Sequence, residues 1–134
     1  VIAVDTSVVV AGFASWHEGH APARAALARR PRLPAHVALE VYSVLTRLPP
    51  PHRATPAIVV SFLEGRFPDP VLPFPAAGHL SLLKEASEMG ITGGGLYDAL
   101  IAATAKHAGA TLLTRDRRAT RVYEALGAAF QMVG

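Results

Sequence analysis

Four acidic residues in this chain stand where an α/β fold can gather them. Asp5 ends the apolar run Val1-Ile2-Ala3-Val4, and Glu40 lies inside the helical stretch His36 to Leu48. Asp98 opens the stretch Tyr97 to His107, and Asp116 follows the apolar run Thr111-Leu112-Leu113-Thr114 by two residues. Three of the four Asp in the chain belong to this set. Carboxylates that converge from distant segments repel one another and need a compensating cation. Magnesium and manganese take oxygen ligands, so the pattern points to a divalent-metal site. Such a site could hold one ion, or two at ~3.5–4 Å once a phosphate contributes charge. It would activate water without a histidine base or a serine nucleophile.

The elements that must position these acids are legible in the pattern. Val1 to Asp5 reads as a short buried strand, and Val8 to Phe13 as a helical turn behind it. Helices are expected over His17–Arg30, His36–Leu48, Thr55–Glu64, Pro75–Met89, Tyr97–His107 and Arg117–Leu126. Pro49-Pro50-Pro51 stops the second of these, and Gly90, Gly109 and Gly127 close the later ones. Thr55 is a candidate cap with Pro56 at the first helical position. Ala110–Thr114 and Ala128–Val133 read as strands, Val71-Leu72 as a short strand, and Pro31–Pro34 as a turn or a very short strand. Strands that alternate with helices predict an α/β fold on a parallel sheet with right-handed crossovers. In such sheets ligands bind beyond the carboxyl ends of the strands, where Asp5 and Asp116 fall. Asp98 lies in a first helical turn, where the macrodipole favours an anion by ~0.3–1 kcal/mol. Each acid alone has a plain reading, as a helix cap, a first-turn charge or a solvated flank. Their joint placement carries the argument.

Composition sets the bounds. A chain of 134 residues is expected to form a single domain, 51% hydrophobic and 17% charged. No apolar stretch approaches the ~20 residues of a membrane span, and no signal peptide is expected. Absence of cysteine excludes disulfides, thiolate metal sites and cysteine nucleophiles, and fits a cytoplasmic location. The formal charge is +3, and eleven of the thirteen basic residues are Arg. Arg suits phosphate, although a GC-rich genome would enrich it too. Arg115, Arg117, Arg118 and Arg121 surround Asp116, and Arg47 and Arg53 bracket the proline turn. Lining a cleft, they would bind a phosphate backbone with salt-dependent affinity; on a solvated face they would do nothing specific. Other chemistries fail. Asp5-Thr6-Ser7 lacks a second Asp two residues on, and Gly93-Gly94-Gly95 is not followed by the Lys of a phosphate-binding loop. His17 and His20 have no visible third ligand and read as surface histidines on one helix face. Trp16, Tyr42 and Tyr97 could stack on bases, but such aromatics more often belong to a core.

Four stretches together resemble the successive motifs of PIN-domain nucleases. They are Val4-Asp5-Thr6-Ser7-Val8, Leu39-Glu40-Val41, Tyr97-Asp98-Ala99-Leu100-Ile101-Ala102-Ala103-Thr104-Ala105 and Leu113-Thr114-Arg115-Asp116. The resemblance spans the chain in order, and the compact length is similar to that of the VapC toxins of bacterial VapBC toxin–antitoxin pairs. It implies a PIN-like three-layer α/β/α fold with a central, mainly parallel sheet over residues 1–134. It also implies a Mg2+- or Mn2+-dependent endoribonuclease acting on a structured tRNA or rRNA, dimeric with itself and neutralised by a VapB antitoxin. On that resemblance Asp5 and Asp98 would be the principal metal ligands. Glu40 and Asp116 would complete the catalytic cluster, directly or through metal-bound water. Ser7 and Thr114 would orient carboxylates or water, and Arg115, Arg117 and Arg118 would contact RNA. The Gly-rich approach to Asp98 departs from the family pattern. The alternative is an inactive PIN-like module that binds RNA or antitoxin, against which the intact acid set argues. A flap nuclease acting on DNA would normally need a larger chain.

Overall fold

The computed structural model describes residues 1–134. Three parallel strands, β1 (Ile2–Val4), β2 (Thr111–Thr114) and β3 (Phe130–Met132), pair in that order, with Val4 opposite Leu113 and Leu113 opposite Gln131. Seven helices surround them: α1 (Thr6–Phe13), α2 (His20–Ala28), α3 (Ala35–Arg47), α4 (Pro56–Arg66), α5 (His79–Glu88), α6 (Gly95–His107) and α7 (Arg117–Ala125). Successive strand residues face opposite sides of a sheet. Ala3, Val4, Leu112, Leu113 and Thr114 are nevertheless all buried, so helices cover both faces. This is the α/β architecture that the sequence predicts.

The sheet also extends beyond β1 by two isolated parallel bridges, Ala3 to Arg32 and Pro34 to Leu72. The short extended pieces expected at Pro31–Pro34 and Val71-Leu72 shrink to these single pairings. Proline has no N–H to donate. Pro31, Pro34, Pro70 and Pro73 limit pairing to a few bonds, among them Arg32 N to Ile2 O at 2.8 Å and Leu72 N to Leu33 O at 2.8 Å.

Helix boundaries follow the local chemistry closely, with three differences. The helix expected from His17 begins at His20, because residues 15–19 form turns and His17 Nδ1 accepts from Gly19 N at 2.9 Å. The stretch from Pro75 opens as a 3-10 turn, Ala76–Gly78, before α5 begins. The approach to Asp98 is helical from Gly95, two residues before Tyr97, and only Gly93 in that triplet has a positive φ, +57°. Thr55 occupies the cap position of α4 but makes no side-chain capping bond.

Twenty-seven buried side chains form one core around the sheet, including Val4, Val8, Val41, Leu45, Ile101, Leu112 and Leu113. Leu113 is fully buried at the centre of the middle strand. Leu113→Ala should cost about 2–5 kcal/mol in urea unfolding, whereas Glu64→Ala on the exposed side of α4 should change stability by less than ~0.5 kcal/mol. A loss below about 1 kcal/mol at Leu113 would contradict its central place.

Candidate active site

β1 and β2 run parallel, so their carboxyl ends open on the same edge of the sheet. Both strands turn there directly into helices, and the residue at each turn is an Asp. Asp5 is the N-cap of α1, with its side chain accepting from Ser7 N and Val8 N. Asp116 is the N-cap of α7 and accepts from Arg118 N and Ala119 N. A short acidic side chain suits this role because it satisfies the free N–H groups of the first turn. The plain reading of these two acids and their gathering at one edge therefore hold together. A cleft of about 1140 Å³ opens beside them, with Glu40, Asp98 and Asp116 among its lining residues.

Asp5 sits beneath this cleft and is only 3% exposed. Its Oδ1 accepts from Ser7 N at 3.0 Å and from the Ser7 hydroxyl, while Oδ2 accepts from the Tyr123 hydroxyl at 2.8 Å. Burial pushes its carboxyl above the usual range, against hydrogen bonds from Ser7, Thr114, Tyr123 and Val8 that favour the anion. Burial also pushes the Tyr123 phenol far above its ordinary value, and the Asp5 charge adds to the effect. Tyr123 thus stays a neutral donor to Asp5. Ser7 Oγ accepts from Arg115 N at 2.8 Å and Thr114 Oγ1 accepts from Asp116 N at 3.0 Å. Both hydroxyls serve the two strand-to-helix turns, Ser7 at Asp5 and Thr114 at Asp116.

Asp98, in the first turn of α6, is half-buried and is the electrostatic centre of the group. Its carboxyl is pushed up to about 6, first by burial and then by the charges of Asp116, Glu40 and Asp5; the Arg118 charge opposes them. All four acids therefore share one field. No three acidic or histidine side chains close into a ready metal-ligand set, however. The residues fit a hard divalent cation of the kind held by one or two carboxylates plus water and phosphate. They do not form a four-carboxylate cage.

Glu40 is gripped from two sides. Thr6 Oγ1 donates to its Oε1 at 2.6 Å, and His36 Nε2 lies 3.4 Å from its Oε2. Sequence reasoning missed both contacts. His36 and Glu40 are one turn apart on α3, a spacing that could have revealed the pair. Thr6 comes from a segment 34 residues away, which no periodicity links to Glu40. The Tyr123 bond to Asp5 spans 118 residues and was equally hidden.

The arginines divide. Arg117 and Arg118 are exposed on the cleft rim, with Arg118 Nε 4.0 Å from Asp116 Oδ1. Arg115 also lines the cleft, but its guanidinium donates to Val133 O at 3.1 Å and packs so closely on Gly19 that a Cβ there would overlap it. Arg47 lines the opposite wall and donates to Ser43 Oγ at 2.9 Å, whereas Arg53 is bound to Leu48 O. His17 lines the cleft, and His20, on α2, directs Nδ1 at Ala11 O, 2.9 Å away, so the two do not share a helix face. Trp16, Tyr42 and Tyr97 are all at least 40% exposed and belong to no core.

Comparison with known proteins shows the family and the fold. The PIN domain family model matches residues 2–125. Ribonuclease VapC40 of Mycobacterium tuberculosis is 51% identical over 133 residues, covering 99% of both chains. Ribonuclease VapC27 of the same organism is 40% identical over 127 residues, covering 94% of this chain and 92% of the relative. Two solved structures share the fold at low identity. FitAcB from Neisseria gonorrhoeae has a TM-score of 0.69 at 23% identity, covering 97% of this chain and 96% of its own. FitAB bound to an IR36 DNA fragment has a TM-score of 0.68 at 21% identity, covering 98% and 94%. With four acids at the carboxyl edge of a parallel sheet and near-full-length likeness to two VapC ribonucleases, this chain belongs to the PIN-domain family, in its VapC ribonuclease branch.

Proposed function

We propose that the chain is the toxin of a VapBC-type pair, an endoribonuclease that hydrolyses a phosphodiester bond of a structured tRNA or rRNA with Mg2+ or Mn2+. The carrying observation is that Glu40, Asp98 and Asp116, from three separate helices or turns, line one cleft with Asp5 buried beneath it. In this arrangement burial and then the neighbouring charges push the Asp98 carboxyl up. Such crowding gains nothing in a pure RNA binder, because it repels phosphate. A bound divalent cation would neutralise the carboxylates and the phosphate and lower the pKa of water for attack on phosphorus. Asp98, Asp116 and Glu40 face the cleft and would hold it, with Asp5 behind them. Thr6 and His36 fix the orientation of Glu40, and Ser7 and Tyr123 fix that of Asp5. Arg117 and Arg118 offer the RNA backbone its phosphate contacts, while Arg115 mainly ties the turn to the chain's end. Water adds to phosphorus, the bond to O3′ breaks, and O3′ takes a proton. The products are 5′-phosphate and 3′-hydroxyl ends.

The names of the VapC relatives support the ribonuclease and toxin parts of this reading. A VapB-like antitoxin, a homodimer and a cytoplasmic location belong to it as well. Co-expression with a VapB-like protein should suppress cleavage, and light scattering should give twice the chain mass; a free monomer that no antitoxin inhibits would contradict these parts.

Asp98→Ala is the cleanest test of the site, because no hydrogen bond to Asp98 is lost with it. It should lower RNA cleavage by roughly 100-fold or more while the far-UV spectrum is kept. Asp5→Asn should also abolish cutting, but with some loss of stability from the α1 cap and the Tyr123 bond. Full activity in both variants, or products ending in a cyclic phosphate, would overturn the assignment.

The same crowding has a cost in the metal-free protein. The unfolded Asp98 carboxyl releases its proton near 3.8, and the folded one near 6. Between these values the folded state binds more protons, so it loses stability as pH rises, and the full penalty stands above 6. In EDTA at pH 7.5, Asp98→Asn should therefore stabilise the fold by on the order of 1 kcal/mol, a figure discounted for its solvent exposure. The gain should vanish below about pH 4. A lower melting temperature for Asp98→Asn at pH 7.5 would show that the carboxylates do not strain the fold.

A further inference from the structure

One wall of the cleft carries aromatic surface that neither the core nor the acid cluster requires. His36, in the first turn of α3, and Tyr97, in the first turn of α6, stack face to face with 4.9 Å between ring centroids and 10° between planes. Both line the cleft, and Tyr97 is 48% exposed. His36 Nε2 is itself buried and makes no hydrogen bond, although it lies 3.4 Å from Glu40 Oε2. The imidazole is therefore used as a flat backing for the phenol ring and a lateral contact for Glu40. Its stack covers one face of Tyr97 and fixes the ring beside Asp98, leaving aromatic surface open to water.

The rest of this wall continues the pattern. His36, Glu40, Ser43 and Arg47 recur at three- and four-residue spacing, so they share one face of α3, and all four line the cleft. From His36 to Arg47 that face runs ~16 Å. It presents in turn an aromatic, a carboxylate, a hydroxyl and a guanidinium, with Arg47 already braced by Ser43. An aromatic platform next to a phosphate-cleaving centre, followed by a guanidinium, matches the alternation of base and phosphate in an unpaired strand.

We infer that the open face of Tyr97, backed by His36, is a nucleobase subsite that stacks one unpaired base of the RNA substrate beside Asp98, while Arg47 takes a phosphate further along α3. The inference rests on the ribonuclease reading above. Every base has a π-face, so this subsite selects unpaired over paired nucleotides and leaves the identity of the base to other contacts. The ring, not the phenol hydroxyl, does the work.

The test is a double-mutant cycle on a short single-stranded RNA that the Mg2+-loaded chain cuts. The RNA is made intact and as a series with one abasic ribose at each position. Tyr97→Ala should lower kcat/KM on intact RNA by roughly 5- to 150-fold, mainly through KM, and Tyr97→Phe by no more than about twofold. One abasic position should reproduce that loss in the unmodified protein and add nothing further in Tyr97→Ala. A 2-aminopurine at that position should be quenched on binding in EDTA, and the quenching should be lost in Tyr97→Ala. The subsite is overturned if no abasic position affects the unmodified protein. It is overturned too if the losses multiply, with kcat alone falling, as for a ring that merely supports Asp98. Unchanged RNA kinetics with weakened antitoxin binding in Tyr97→Ala would give the platform to the antitoxin instead and overturn the proposal. Failure of the unmodified chain to cut any RNA would overturn the ribonuclease reading, and the subsite with it.

Discussion

The arrangement depends on one buried carboxylate. Asp5 joins β1 to α1 as a helix cap, accepts from Ser7 on one oxygen and from Tyr123 on the other, and is almost wholly hidden from water. Ser7 passes the link on by accepting from Arg115 N, at the exit of β2. Two strand-to-helix junctions that are remote in sequence are thereby locked side by side. A buried anion without partners would cost several kcal/mol; the hydrogen bonds offset part of that cost, and burial still holds the carboxyl above its usual range. The position of Asp116 follows from the same lock, since it caps the helix that carries Tyr123. The placement of the acid cluster is in this sense a consequence of how the two turns are capped.

Asp98 shows the opposite economy. Capping bonds stabilise Asp5 and Asp116, while Asp98 meets only burial and like charge, eased by Arg118. Its position in the first turn of α6 offsets part of this through the helix dipole. A fold selected for stability alone would place an apolar or amide side chain there. The strain is local, however. The core beneath it runs through Ala99, Ile101, Ala102 and Ala105 on the same helix, whose burial holds the first turn in place regardless of the charge. Rigid packing under a strained group is what lets a site stay ordered before its counter-charge arrives.

Much of this was legible in the sequence because it rests on local rules. Apolar runs with an Asp at or just past their ends gave β1 and β2, proline and glycine gave the helix ends, and the four motifs around the acids, in order, gave the PIN resemblance. The alternation of strands and helices gave the α/β fold, and the PIN resemblance implied its three layers. What stayed hidden depends on contacts between segments that share no periodicity. Tyr123 to Asp5, Thr6 to Glu40 and Tyr97 on His36 are tertiary pairings, and a single sequence does not encode partners in a readable form. Arg115 looked like its neighbours in composition, yet Gly19 and Val133 draw its guanidinium into the structure. Sequence leaves Trp16, Tyr42 and Tyr97 between a core and a stacking role, and their exposure places them outside the core.

The charge layout also orders the events of substrate approach. A polyanion nearing the cleft meets repulsion from Glu40, Asp98 and Asp116, so its capture cannot start at the acids. The rim contacts must come first, and they are of two kinds. Arg117 and Arg118 on one wall attract phosphate, with a strength that salt erodes. The Tyr97 ring on the other wall carries no charge and binds by dispersion and desolvation, which salt leaves largely intact. On the proposed reading, an electrostatic wall brings many nucleic acids to the cleft, and a stacking wall keeps those with an unpaired base to offer. A base held against Tyr97 brings its own phosphate next to Asp98. Recognition and chemistry are then adjacent because they sit on consecutive residues of one helical turn.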